Sequence, residues 1–187
     1  GYALRKGGKW DSKYLVQNKD YSSFPIYRAA EALLNYMEAS YEKTGSLDGN
    51  AREYWQILRC RALVDDNIDK TISATDMMKE AENDFGAYSA GKVLTDATLY
   101  NIRRERRSEF ISEGLRYMDL CRWRAMDQLI TKSYIPEGIH LWNTPMENWY
   151  VDKDGNSTLI SDGSSKANVS SKDDSEYLRP LRKGAGV

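Results

Sequence analysis

The chain has one histidine, two cysteines and four prolines among its 187 residues, and each scarcity excludes something. A serine–histidine triad or a histidine-rich zinc site needs imidazoles that His140 alone does not supply, and the two cysteines do not complete a metal-ligand cluster. No nucleophile–base pair and no glycine-rich phosphate loop is present, so the sequence reads as that of a protein that is not an enzyme and carries neither metal nor cofactor. Cys60 and Cys121 each fall in an expected helix beside arginines, where free thiols act as small buried apolar residues. Whether they pair stays open, because a disulfide needs Cα atoms within about 7 Å. No apolar run reaches the roughly 18 residues of a membrane span, and Gly1 to Trp10 lacks the apolar core of a signal peptide. Charged residues make up 29% of the chain with a formal net charge of -1, without the basic excess that nucleic-acid phosphates demand.

What is present is helical patterning followed by a loop-rich tail. Residues 1–24 read as an irregular or short-strand lead-in. Pro25 can open a helix, since its missing N–H is not needed in the first turn. Ile26, Ala29, Ala30, Leu33, Leu34, Met37 and Tyr41 mark one face of that helix, and Gly45 is its expected stop. Asn50 and Glu53 have the spacing of an N-cap and its reciprocal partner, predicting a second helix to about Val64 with Tyr54, Ile57, Leu58 and Ala62 inward. The short loop between the two predicts an antiparallel hairpin. Ser73 and Asp76 are expected to cap a third helix carrying Met77, Met78, Ala81 and Phe85, with Gly86 and Gly91 framing a connection. A fourth helix is expected from Thr95 or Asp96 to about Glu113. A fifth follows from Leu115 to Ile130, with Leu115, Met118, Arg122, Met126 and Leu129 on one side.

The fold class this predicts is mainly α: helical hairpins stacked as in tetratricopeptide repeats, without that repeat's signature residues, and a loop-rich C-terminal segment with a short β-hairpin. The whole of 1–187 reads as one region, with 25–132 helical and 133–187 loop-rich. The hairpin is expected around Asp154-Gly155, between Trp149-Tyr150-Val151 and Thr158-Leu159-Ile160. Residues 152–156 do not fit a calcium loop, because the glycine is misplaced and no glutamate follows at the twelfth position.

Ile102 to Trp123, IRRERRSEFISEGLRYMDLCRW, is the most informative segment. Its apolar stripe begins with Leu99 and Ile102, passes through Glu105 or Arg106, and resumes at Phe110. Glu105, Glu109 and Glu113 stand four apart, where like charges repel on an isolated helix. The row makes sense if arginines from neighbouring helices reach it, and Arg28, Arg61, Arg116 and Arg122 are the candidates. Paired cations lower a carboxyl pKa, whereas a general acid needs a raised one. An ion-pair frame of Arg28, Glu31, Arg61, Glu105, Arg106, Glu109, Glu113, Arg116, Asp119 and Arg122 therefore fits better than the paired carboxylates of a glycosidase. Loss of Glu109 is expected to cost about 3 kcal/mol or more, as for an orphaned buried charge.

Four stretches resemble one family. RAAEALLNYMEA (Arg28, Glu31, Ala32, Leu33, Leu34, Glu38), LRCRA (Leu58, Arg59, Arg61), the 102–123 block with Glu113-Gly114, Asp119-Leu120 and Arg122-Trp123 in register, and the terminal YLRPLR are similar to motifs of the SusD/RagB family. The resemblance spans about Gly1 to Arg182 and corresponds to the family's C-terminal part. It implies a mostly helical fold and non-catalytic binding of glycans at the bacterial cell surface. It implies further a lipoprotein of the outer membrane, as in Bacteroidetes, that serves polysaccharide utilization beside a TonB-dependent SusC-like transporter. The lipid anchor would belong to an N-terminal part preceding this chain. Within the loop-rich segment, Trp142, Trp149 and Tyr150 are the candidate aromatic surfaces for a sugar, with Asn143 and Asn148 nearby. Trp142 and Trp149 can equally cover a core, and Trp123 is expected in one. A reading from another class is a helical-repeat scaffold that binds protein and no glycan.

Overall fold

The computed structural model describes Lys6, Lys13 and residues 26–131, 137–147, 169–171 and 175–179. The chain divides into two compact units, Ser23–Ser133 and a second made of Gly1–Ser22 with Tyr134–Val187. The first is helical. Its first helix, α1, spans Ala29–Thr44, and Gly45 ends it in the left-handed conformation (φ +70°), its N–H bonded to the Tyr41 carbonyl. That is the conformation glycine adopts without a Cβ penalty. Ala30, Leu34, Met37 and Glu38 are buried on its inner face. Ile26 is 78% exposed, contrary to the expected stripe, because it precedes the first helical turn.

Residues 45–48 lead into α2, Gly49–Arg61. The N-cap is Asp48, whose carboxylate accepts from Ala51 N at 2.7 Å, and not Asn50. Moving the cap leaves the helix face unchanged, but the buried residues are Ala51, Trp55 and Leu58. Leu58 is inward as expected and Tyr54 packs partly buried against the core, whereas Ile57 and Ala62 are exposed. A short α3, Ile68–Ser73, capped by Asn67, was not anticipated. Then α4, Met77–Asn83, starts at Asp76, which accepts from Met78 N and Lys79 N. Met78 is exposed where the sequence placed it inward. A 3-10 turn, Phe85–Ala87, leads to the strands β1, Tyr88–Ser89, and β2, Lys92–Val93. They pair antiparallel, Tyr88 opposite Val93, where the sequence suggested only a glycine-framed connection.

The long helix α5 spans Ala97–Glu109 with Asp96 as its cap. It ends four residues earlier than expected. Ser112 (φ +64°) and Gly114 (φ +80°) take left-handed conformations, so Glu113 sits in the turn and not on the helix. The expected fifth helix is two: α6, Arg116–Arg122, and α7, Gln128–Thr131, separated at Arg124 (φ +53°). Met118 and Leu129 are exposed, while Asp119, Trp123, Ala125 and Gln128 are buried. Cys60 and Cys121 are free and exposed, not buried.

Helix directions follow from the cross-links. Arg28, at the start of α1, reaches Glu109 at the end of α5, and Tyr41, near the end of α1, donates to the α5 cap Asp96 at 2.8 Å. The two helices are therefore antiparallel. Trp55 meets Glu105 and Arg61 meets Glu109, so α2 and α5 run the same way, each against α1. Their shared core is Ala30, Leu34, Met37, Trp55, Leu58, Ile68, Ile102 and Phe110. A smaller one joins Ala81, Ala87 and Tyr100. The mainly α class with a short antiparallel pair of strands is thus observed. No helix among the described residues is long and apolar enough to cross a membrane.

In the second unit, Ile139, Leu141 and Trp142 are buried together, with Met146 and Leu178 against them. Leu178 N donates to the Ile139 carbonyl and Gly138 N to the Leu178 carbonyl. His140 bridges to Tyr177 and stacks on its ring, centroids 4.9 Å apart. The first residues of the closing YLRPLR are thereby docked on 138–142. The hairpin expected at 149–160 lies outside the described residues.

Candidate functional site

The ten charged residues of the expected frame do not form one row. They fall into groups around α5. In the first, Arg28 Nη1 donates to Glu109 Oε1 at 2.7 Å, and its Nε and Nη2 grip Glu113 at 2.9 and 2.7 Å. Arg61 closes on the other Glu109 oxygen. The Arg28 guanidinium also lies over the Phe110 ring, 4.9 Å from its centroid. Burial pushes the Glu109 carboxyl up, and hydrogen bonds and charge from Arg61 and Arg28 outweigh it, leaving the carboxyl below its ordinary value. Burial lowers Arg28, and Glu113 and Glu109 more than reverse that. Glu105 accepts from the Trp55 indole at 3.0 Å and from Arg59 at 3.4 Å.

The second group is more deeply buried. Arg106 Nε is 2.8 Å from both Asp119 oxygens, and its Nη1 donates to Asn35 at 2.9 Å. Glu31 is 3.7 Å away. Arg122 Nε shares Asp119 at 2.9 Å, and its Nη atoms clamp both oxygens of Glu38 at 2.7 and 2.6 Å. Glu38 also accepts from the Trp123 indole at 2.6 Å. Burial lowers Arg122, but Glu38 and Asp119 outweigh it and raise it overall. In the third group Asp84 takes Arg107 at 2.8 Å and Arg116 at 2.5 Å. Its neighbour Tyr100, buried and hydrogen-bonded to Glu80, has its phenol raised, first by burial.

Arg116 and Arg122 were expected to reach the glutamate row. Arg116 goes to Asp84, and Arg122 to Glu38 and Asp119. The row is served by two of the four candidates, Arg28 and Arg61, and by Arg59. The reason is the turn at 110–115, which carries α6 away from the α2 side of α5.

Glu38, Arg59, Asp84, Arg107 and Asn35 take part in these groups and lay outside the expected frame. Glu38 had a signal: it stands four residues beyond Leu34 and eight beyond Ala30, on the apolar face, so it needed a buried partner. Arg59 stands four beyond Trp55 and shares its glutamate. Asp84 and Asn35 carried no periodic mark.

Chemically, the carboxylates are occupied. Bidentate and charge-assisted contacts fix their orientation, which suits a frame and not proton transfer. Among the described residues no group of three His, Cys, Asp or Glu side chains is placed to hold a metal ion.

Of the three candidate sugar-stacking residues, Trp142 is 2% exposed and packed with Ile139 and Leu141. Its indole faces are covered in that packing. Trp149 and Tyr150 lie outside the described residues, as does Asn148. Asn143 is exposed at the same turn, its N–H donating to Glu147 at 2.9 Å.

The model of one family, the SusD family, matches residues 1–185. No curated protein and no solved structure matches the chain.

Proposed function

The chain belongs to the SusD family, a family of glycan binding and nutrient uptake, and from that membership we propose that it captures oligosaccharide at the bacterial cell surface without cleaving it. It would pass the ligand to a SusC-like TonB-dependent transporter in the outer membrane, held there by a lipid anchor on residues upstream of this chain. The observation that carries this reading is the family match over nearly the whole chain. Two features support it. The carboxylates of α5 and α6 are engaged by guanidinium groups, and Glu109 is held below its ordinary pKa, the wrong direction for a general acid. Among the described residues of the loop-rich segment Asn143 is exposed, and the sequence nearby carries Trp149 and Tyr150; polar groups beside aromatics are the usual make-up of a sugar site.

Trp149 and Tyr150 are the aromatic surfaces proposed to stack on the sugar, and Trp142 is the packing anchor of their segment. The test is electrophoresis of the full-length protein through gels containing single soluble polysaccharides. Retarded migration in at least one glycan is expected, and Trp149→Ala with Tyr150→Ala should remove most of it while leaving the melting temperature unchanged. Unretarded migration in every glycan, with capture of a protein partner instead, would favour a helical scaffold.

A further inference from the structure

The described residues of the second unit include three aromatic rings, His140, Trp142 and Tyr177. Trp142 is buried. The other two reach solvent, and the pairing of their segments explains why. His140 and Tyr177 stand opposite one another in an antiparallel bridge. Leu178 N donates to the Ile139 carbonyl at 3.0 Å, and Leu141 N and Trp142 N both donate to the Glu176 carbonyl at 3.1 Å. Side chains alternate between the two faces of such a pair. Ile139, Leu141 and Leu178 accordingly pack inward, while His140 and Tyr177 share the outer face. Opposed residues are close enough for their rings to meet, and these stack with centroids 4.9 Å apart and planes 23° from parallel.

One face of the Tyr177 ring is thus covered by the imidazole. The residue is still 41% exposed, which leaves the opposite face and the edge of the ring as its open side. The surface is also held in place. A tyrosine offers a large flat area with only two torsions to fix, and the backbone beside it is pinned by the bonds to 139–142 and by Arg179 Nε donating to Glu137 at 2.9 Å. Polar groups stand next to the ring. His140 Nε2 lies 3.2 Å from Glu176 Oε2, and the Glu176 side chain is 60% exposed. A flat apolar face beside a carboxylate and an imidazole suits the C–H face of a pyranose, whose hydroxyls can donate to the carboxylate. Charge narrows the class. Glu176 meets the imidazole and no guanidinium among the described residues, and Arg179 is already taken by Glu137. A uronate would therefore find a carboxylate where it needs an arginine.

We propose that Tyr177, backed by His140 and flanked by Glu176, is a stacking surface for a neutral pyranose ring. This rests on the glycan-binding reading and adds to it a subsite made by the closing segment, distant in sequence from Trp149 and Tyr150.

The test derives dissociation constants from migration of the full-length protein through gels of graded polysaccharide content. The neutral probes are mixed-linkage β-glucan, galactomannan, xylan and dextran, and the anionic one is polygalacturonate. Retardation by at least one neutral probe, stronger than by polygalacturonate, is expected. Tyr177→Leu keeps bulk against the imidazole but no flat face, and should weaken binding of that probe about fivefold or more. Tyr177→Trp should restore it, both variants melting as the unmodified protein does. Equal binding by Tyr177→Leu and the unmodified protein, or a loss that Tyr177→Trp does not restore, overturns the inference and leaves the glycan reading standing. If Tyr177→Leu does not fold, Glu176→Ala, at an exposed side chain, takes its place. About a threefold loss is expected there, and unchanged binding overturns the inference. Stronger retardation by polygalacturonate than by every neutral probe also overturns it. Retardation by no probe overturns both the inference and the reading beneath it.

Discussion

At the scale of single residues, what an ion pair is worth depends on what its partner keeps when it is lost. Glu38 is buried and accepts three charge-assisted or indole hydrogen bonds. Glu38→Ala leaves the Trp123 N–H orphaned and Arg122 with Asp119 alone, and should cost about 3 kcal/mol or more, the range for breaking a buried pair. The sequence placed that cost at Glu109. There Arg28 retains Glu113, and Arg61, half exposed, can turn to water, so Glu109→Ala should cost about 1–2 kcal/mol, closer to an ordinary hydrogen bond to a charged group. Denaturant unfolding of the two variants measures both, and equal losses would refute the distinction. The pH dependence follows from Glu109 as well. Its folded pKa lies below the unfolded one, so the folded state favours the ionised carboxylate. The stabilisation is complete above the unfolded value of about 4.3 and is lost as pH falls through the lowered folded value. Melting curves below pH 5 should therefore fall less steeply for Glu109→Gln than for the unmodified chain. Parallel curves would show that Glu109 does not contribute. Glu38 was legible from the face it occupies, four residues past Leu34. Asp84 was not, because a carboxylate in a short turn has no periodicity to betray that arginines from α5 and α6 meet on it.

At the scale of elements, capping chemistry was the most readable feature and helix ends the least. Asp76 and Asp96 cap α4 and α5 as their spacing suggested. Near α2, Asp48 and Asn50 are both good caps two residues apart, and only the backbone geometry picks Asp48. Its second oxygen then takes the Tyr36 hydroxyl at 2.9 Å, tying α1 to the start of α2. The end of α5 was hidden because the apolar and charged pattern runs on past Phe110, while the turn is made by left-handed Ser112 and Gly114. The six-residue α3 is too short for a helical period to show. Asp96 serves twice, accepting from Thr98 N and Leu99 N and from Tyr41. Asp96→Ala should therefore cost about 2 kcal/mol, roughly one for the cap and one for the lost tyrosine bond. A loss no greater than that of an exposed cap such as Asp76→Ala would show that the link between α1 and α5 does not matter.

At the scale of the whole molecule, the class was legible because the 102–123 block combines two demands. It must make a helix, and it must present arginines and carboxylates that meet others from α1, α2 and the 84–88 turn. Those partners are distant in sequence, which is why the block was readable as a frame while its exact pairings were not. The loop-rich segment lacks any such repeated constraint. Trp142 reads in sequence as a candidate sugar surface, and only its packing against Ile139 and Leu141 shows the ring to be covered. On the proposed reading, these carboxylates hold a binding protein together and break no glycosidic bond. The direct measurement is incubation of the full-length protein with a polysaccharide that retards it, followed by assay of new reducing ends. No increase over a protein-free control is expected at any protein concentration. An increase that scales with protein and disappears in Glu109→Gln would contradict it.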